Sequence, residues 1–229
     1  MIDGRTDART WRPQGFGKRS ARHIEDPLVE PLWSGIRVLA HVGPGGIAFV
    51  DLRGEVQRWP EAGAALQTAI RAESAVIDGY LTTEAAGDGA GVGSGDAAAA
   101  TKPKDMARQM LIGGGGRNRR AELQAEIEAE REPLLSPADE VVFVAVDLLL
   151  VDDEPILDVP LLERKRQLDG ILEEGPLVRR GIHVRPPIDA WLGTWRQLGF
   201  QRLAWKDANS RYSPGAPNDG WATSVLPRG

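Results

Sequence analysis

The chain has 229 residues, 41% hydrophobic and 27% charged, with a formal net charge of -5. It is long enough for a packed core, and neither a disordered chain, a fibrous one, nor a protein whose whole surface attracts nucleic acid fits these values. There is no cysteine, which excludes disulfides, thiolate zinc sites and cysteine nucleophiles.

His23, His41 and His183 are too widely spaced for a local metal motif, so no metal site is predicted. The only lysines are Lys18, Lys102, Lys104, Lys165 and Lys206. No apolar run is long enough to cross a bilayer, and the N-terminus lacks the apolar stretch of a secretory signal. A cytoplasmic protein without membrane contact is expected.

Residues 1–22 carry Arg5, Arg9, Arg12, Lys18, Arg19 and Arg22 against Asp3 and Asp7, and read as a basic arm. Residues 36–42 and 46–52 are β-rich runs separated by Gly43-Pro44-Gly45, the pattern of a hairpin. Residues 60–72 place Ala64, Leu66, Ala69 and Ile70 at helical spacing, and residues 75–78 predict another strand. From Glu84 to Ala100 the chain is glycine, alanine, serine and a few acids, too poor in apolar surface to offset its ordering entropy. A flexible insertion over about 84–120 is expected within a folded domain of residues 23–229. A helix is predicted over 118–131.

Residues 140–150 form a near-continuous apolar run, as in a buried central strand. Residues 161–172 predict an amphipathic helix, with Leu161, Leu162, Leu168, Ile171 and Leu172 inward and Glu163, Arg164, Lys165 and Arg166 solvated. A strand at 182–184, a helix at 188–198 and a strand at 202–206 complete the reading. Strand-rich blocks with separate helices indicate α+β. Asp78 and Asp147, set in apolar strands, call for buried partners such as arginines or backbone donors. The seven tryptophans are assigned to core or cleft packing, with stacking on bases as the other use.

The string Glu30-Pro31-Leu32-Trp33-Ser34-Gly35-Ile36-Arg37 resembles the first signature of ATP-dependent DNA ligases and their nucleotidyltransferase relatives, Glu-x-Lys-x-Asp-Gly-x-Arg. Ile77-Asp78-Gly79-Tyr80-Leu81 is similar to that family's Asp-Gly-Glu strand, and Val146-Asp147-Leu148-Leu149 to its Phe-Asp-Leu-Leu strand. Pro160-Leu161-Leu162-Glu163-Arg164 is similar to its Leu-Pro-Leu-Leu-Glu-Arg segment. The stretch 199–221, with Lys206, Ser210-Arg211-Tyr212-Ser213-Pro214-Gly215 and Trp221, resembles its closing signatures.

The resemblance implies an adenylation domain, with antiparallel sheets flanked by helices around a nucleotide cleft and with ATP and magnesium as cofactors. It also implies nucleotide contacts at Glu30, Arg37, Arg53 and Lys206. Three have a plainer reading that stays open: a local ion pair for Glu30, an exposed strand cation for Arg37, a hairpin turn for Arg53; Lys206 could meet a phosphate or a DNA backbone. Arg117, Arg119 and Arg120 are candidates for a nucleic-acid backbone, or for a solvated face beside the acidic stretch that follows.

The departures set the functional expectation. The family's chemistry needs a lysine amine that attacks the α-phosphate of ATP, and its position holds Leu32. The following aspartate is Ser34, the acid of the Asp-Gly-Glu strand is Tyr80, and the adenine-stacking phenylalanine is Val146. The Glu-Gly of the fourth signature is Gln201-Arg202, and the two final lysines fall on Thr223 and Val225.

The resemblance therefore implies a pseudoenzyme that binds a nucleotide, DNA, RNA or a DNA-repair protein. The alternative is an active nucleotidyltransferase using another lysine such as Lys206. Because the sequence ends at Gly229, soon after Trp221, the oligonucleotide-binding domain of ligases is not expected to follow.

Overall fold

The computed structural model describes residues 7–84, 135–136 and 138–227. Arg5, nearly all of the expected insertion, the helix expected at 118–131, and Arg117, Arg119 and Arg120 lie outside the described residues. The described chain is α+β, and its two main sheets consist mostly of antiparallel strands.

The larger sheet has seven strands. Strands β3 (Ile36–Gly43), β4 (Gly46–Asp51), β5 (Val56–Gln57), β6 (Ala75–Thr82), β7 (Val142–Val151) and β8 (Glu154–Pro155) lie in the order β5-β4-β3-β6-β7-β8, and β9 (Val178–Arg180) runs parallel to β7. The hairpin β3–β4 turns at Gly43–Gly46, as the sequence predicts. Strands β6 and β7 are buried along nearly their whole length, which explains their unbroken apolar character.

One face of this sheet packs on helices α1 (Pro60–Ala69) and α2 (Leu161–Ile171). Val38, Ala40, Phe49, Ile77, Leu81, Phe143 and Leu148 meet Ala62 and Leu66 of α1 and Leu168 of α2 in one core. The other face carries a three-stranded sheet of β2 (Pro27–Pro31), β10 (Arg202–Asp207) and β12 (Trp221–Val225), ordered β12-β10-β2. Leu39, Val76 and Leu149 meet Leu28 and Trp221 across the gap. Helix α3 (Asp189–Gln197) covers the outer side of the small sheet through Trp195, which packs with Val29 and Leu203. The strand expected at 182–184 is reduced to a single bridge between Val184 and Val29.

Residues 7–17 form a packed strap. Trp11 and Gln14 are buried, and β1 (Gly15–Phe16) pairs with β11 (Pro217–Asn218). The cations Lys18, Arg19 and Arg22 of the expected basic arm are exposed on the segment that follows. Two glycines are required by geometry. Gly35 has φ +118°, and a Cβ there would lie 2.1 Å from the Leu81 carbonyl oxygen. At Gly79 a Cβ would lie 2.5 Å from the Val144 carbonyl oxygen and against the Phe143 ring.

The solvated reading of Arg164 and Lys165 is corrected: both are buried. Arg164 holds Asp147 at two points, Nε to Oδ1 at 2.9 Å and Nη2 to Oδ2 at 2.7 Å, and donates to the carbonyls of Val159 and Ser210. Helical spacing sets Leu161, Arg164, Lys165 and Leu168 on the buried face of α2, and buried carboxylates meet the two cations there. No helix among the described residues is long and apolar enough to cross a membrane.

Removing one partner of such a pair strands the other charge. Arg164→Ala is expected to destabilise the fold by about 3–5 kcal/mol, and the double variant Asp147→Leu/Arg164→Met by clearly less. Urea unfolding of the two proteins checks the difference.

Candidate functional site

Strand β10 sets the register of the small sheet. Leu28 and Trp221 lie opposite Lys206, and Glu30 and Thr223 lie opposite Ala204. Alternate residues of a pleated strand share a face, so Leu28, Glu30, Lys206 and Trp221 all turn toward the large sheet. Here Glu30 meets two cations from distant parts of the chain. Lys206 Nζ donates to Glu30 Oε2 at 2.6 Å. Lys165 Nζ, from α2, lies 2.7 Å from Glu30 Oε1 and donates to the Val146 carbonyl at 2.7 Å. Lys206 also stands 4.4 Å from the centroid of the Trp221 ring. All three charged side chains are 4% exposed.

Burial pushes the Glu30 pKa up, but the Lys165 and Lys206 charges outweigh it and hold it at about 2, against an ordinary 4.5. Burial lowers the pKa of Lys206. Glu30 opposes that shift, while the Lys165 and Arg37 charges add to it. His183, half-buried, is also lowered, by burial first and then by the Lys165 charge.

Arg37 is committed to Asp78 through Nε to Oδ1 at 3.1 Å and Nη2 to Oδ2 at 2.7 Å. Its guanidinium lies among the rings of Phe16, Tyr80 and Trp221, each with its centroid within 6 Å. Burial opposes its charge, but Asp78 and the tyrosines Tyr80 and Tyr212 raise its pKa. The Tyr212 hydroxyl donates to Asp78 Oδ2 at 2.7 Å and accepts from the Gln14 amide at 2.8 Å. Burial, followed by the Asp78 charge, raises the Tyr212 pKa.

Leu32, Tyr80 and Val146 come together in the structure. What they build is apolar. Tyr80, Val142, Val144 and Val146 form a buried cluster, with Leu32, Trp33 and Leu177 packed against it. Ser34 receives its contact from outside the cluster, its amide donating to Glu84 Oε2 at 2.9 Å. On the small sheet Arg202 Nη2 donates to Thr223 Oγ1 at 2.8 Å, while Val225 is exposed.

Arg53 is not brought to this place. It is an exposed residue of the turn between β4 and β5, where Asp51 Oδ1 accepts the Arg53 and Glu55 amides at 2.8 and 2.9 Å. The structure places Glu30, Arg37 and Lys206 near one another, and adds Lys165, which the sequence reading placed on a solvated face. The signal for it was the helical spacing that places Lys165 four residues after Leu161 and three before Leu168.

Asp78 and Asp147 are each neutralised by an arginine. No group of three or more acids or histidines among the described residues is arranged to hold a metal ion. A groove of about 500 Å³ lies elsewhere, between β4, β5 and α1, with Ile47, Phe49, Val56 and Trp59 in its lining.

The fold is that of DNA ligase nucleotidyltransferase domains. The ligase domain of LigD from M. tuberculosis superposes with a TM-score of 0.62 at 17% identity, over 96% of this chain and 60% of that one. A mycobacterial DNA ligase D complexed with ATP and MES gives 0.59 at 17% identity, over 94% and 60%. A Lig E DNA ligase gives 0.51 at 14%, over 93% and 68%. The chain therefore spans three fifths of the length of the two ligase D structures. No protein-family model and no curated protein matches the sequence.

Glu30 titrates at about 2 in the fold and near 4.5 when unfolded. The stability it contributes is therefore complete above pH 4.5 and is lost as pH falls toward 2, on the order of 3 kcal/mol in all. Glu30→Gln is expected to remove this part of the acid limb in a pH series of thermal unfolding.

Proposed function

We propose that this chain is a ligase-like adenylation fold without nucleotidyl transfer, a binding module for nucleic acid or for a DNA-repair protein in the cytoplasm. The observation that carries the reading is the apolar cluster of Leu32, Tyr80 and Val146. Transfer of an adenylyl group needs a nucleophilic amine and carboxylates for a metal at such a place. Leucine, tyrosine and valine supply neither.

The remaining charged groups do not fit a magnesium triphosphate. Arg37 is taken up by Asp78 and Arg164 by Asp147, so neither the acids nor these two arginines are free for the metal or the phosphates. No catalytic step is therefore drawn through ATP or magnesium.

Binding of nucleic acid is supported by a protein that shares the fold, Lig E, a DNA ligase with DNA binding on a minimal scaffold. In this chain we assign the backbone contacts to Arg117, Arg119 and Arg120.

The alternative is an active enzyme that uses Lys206, whose pKa burial lowers while Glu30 opposes the shift. Against it stand the ion pair with Glu30 and the near-complete burial of Lys206. Intact-protein mass after incubation with ATP and magnesium or manganese decides between the two. We expect no adenylate-sized increase in the native chain, nor in Leu32→Lys, which regains an amine without its partners. An increase that maps to Lys206 would establish the enzyme.

Affinity for duplex DNA should fall with salt. Replacing Arg117, Arg119 and Arg120 by alanine should flatten the slope of log K against log salt by about 2–3.

A further inference from the structure

The groove between β4, β5 and α1 is bounded by the edge of a sheet. Strand β5 is the outermost strand of the large sheet, and among the described residues no strand pairs with its outer side. The Asp51 amide donates to the Glu55 carbonyl at 3.0 Å, so these two residues form a hydrogen-bonded pair. In an antiparallel ladder such pairs alternate with non-bonded ones, and the next pair, Val50 with Val56, is therefore non-bonded. The N–H and C=O of Val56 are turned away from β4, toward the open edge.

The groove opens across that edge. Four consecutive residues, 56–59, line it, and consecutive residues of a strand point to opposite faces. Ile47 and Phe49 of β4 and Gly63 of α1 complete the lining. Large apolar surface is left in water beside it, with Val56 61% exposed and Leu52, in the turn before β5, 53% exposed. The one charged residue of the lining is Arg58, which is exposed and paired with no acid among the described residues.

We propose that β5 and this groove take an extended segment of a partner protein, which adds to the large sheet as a further strand and carries the alternation apolar-acidic-apolar. Free main-chain groups at a sheet edge are met by another main chain, and a groove of about 500 Å³ has room for large apolar side chains. The pattern follows from the two faces of β5. Gln57 lies opposite Phe49 and shares its face, toward α1, whereas Val56 and hence Arg58 belong to the other. On a strand laid beside β5, two alternate residues fall on the α1 face and the residue between them falls beside Arg58. Apolar side chains suit the first two places. A carboxylate suits the third, since a guanidinium takes one with two parallel bonds.

The site owes nothing to the Glu30 cluster, and it stands whether or not the chain transfers an adenylyl group.

Selection on the full chain from a phage-displayed library of random peptides of about twelve residues tests it. Enriched sequences are expected to share the apolar-acidic-apolar alternation. A synthetic peptide of the enriched sequence should bind saturably, with the Val56 amide gaining protection from hydrogen exchange. Gly63→Leu fills the groove and should weaken that peptide at least about tenfold. A Cβ at Gly63 meets only Ile47 and Phe49, at 3.7 and 3.8 Å, which is ordinary contact, and leucine suits a helix better than glycine, so the fold is kept. Val56→Pro removes the outward N–H where an edge strand tolerates proline, and should weaken the peptide about threefold or more. Arg58→Glu should turn the enriched middle residue from acidic to basic, a change that a damaged fold would not produce.

The proposal is overturned if native protein enriches no sequence over Gly63→Leu, or if the enriched peptide binds native protein and both groove variants alike. Unchanged selection on Arg58→Glu would overturn the acidic position. Sedimentation equilibrium showing a native dimer that Val56→Pro dissociates would overturn the partner protein and give the edge to a second copy of this chain. None of these results bears on the mass test for adenylation, and adenylation would leave the peptide site as it is.

Discussion

Two aspartates face each other across the centre of the large sheet. Asp78 of β6 and Asp147 of β7 are register partners, and both are fully buried. Like charges opposed in this way destabilise a sheet unless each is separately neutralised, and much of the tertiary structure is the means of doing so. Arg37 comes from the neighbouring strand β3, Arg164 from α2, and the Tyr212 hydroxyl from the segment after β10. Gln14 of the N-terminal strap then binds Tyr212 through its amide and the Ser213 amide through its side chain. One electrostatic constraint thus fixes the helix, the small sheet and the strap against the same two strands.

The same constraint limits what the region can do. Cations that are fully used in neutralising buried acids hold position and do not offer themselves to a ligand. Where the family resemblance suggested that Arg37 meets a nucleotide, its guanidinium closes a bidentate pair within a set of aromatic rings. Among the buried groups of the described residues, two lysines converge on one acid at Glu30.

Much of this was legible in the sequence wherever the signal was local. The hairpin at Gly43–Gly46, the apolar run of β7 and the helical spacing of α1 each follow from neighbouring residues. The requirement of Asp78 and Asp147 for buried partners followed from their apolar flanks. Non-local features were hidden. Strand β2 is short and bounded by Pro27 and Pro31, which read as turn residues, and its pairing with β10 depends on residues far away in the chain. Lys165 sat in the run Glu163-Arg164-Lys165-Arg166, whose composition says solvent although its spacing places two of the four on the buried face. Composition and periodicity disagreed there, and periodicity was the better guide.

The Glu30–Lys206 contact joins residues 176 positions apart, and that separation bears on biosynthesis. During synthesis from the N-terminus, β2 emerges long before β10, with an acid destined for burial and no partner yet to receive it. The hairpin β3–β4 forms from neighbouring residues, but β2 gains its ladder only when β10 has left the ribosome. Loop closure on this scale is slow compared with local pairing, so the small sheet is the late event of folding. Until then Leu28 and Val29, wholly buried in the finished protein, remain in water, and it is in that interval that the nascent chain has most need of a chaperone.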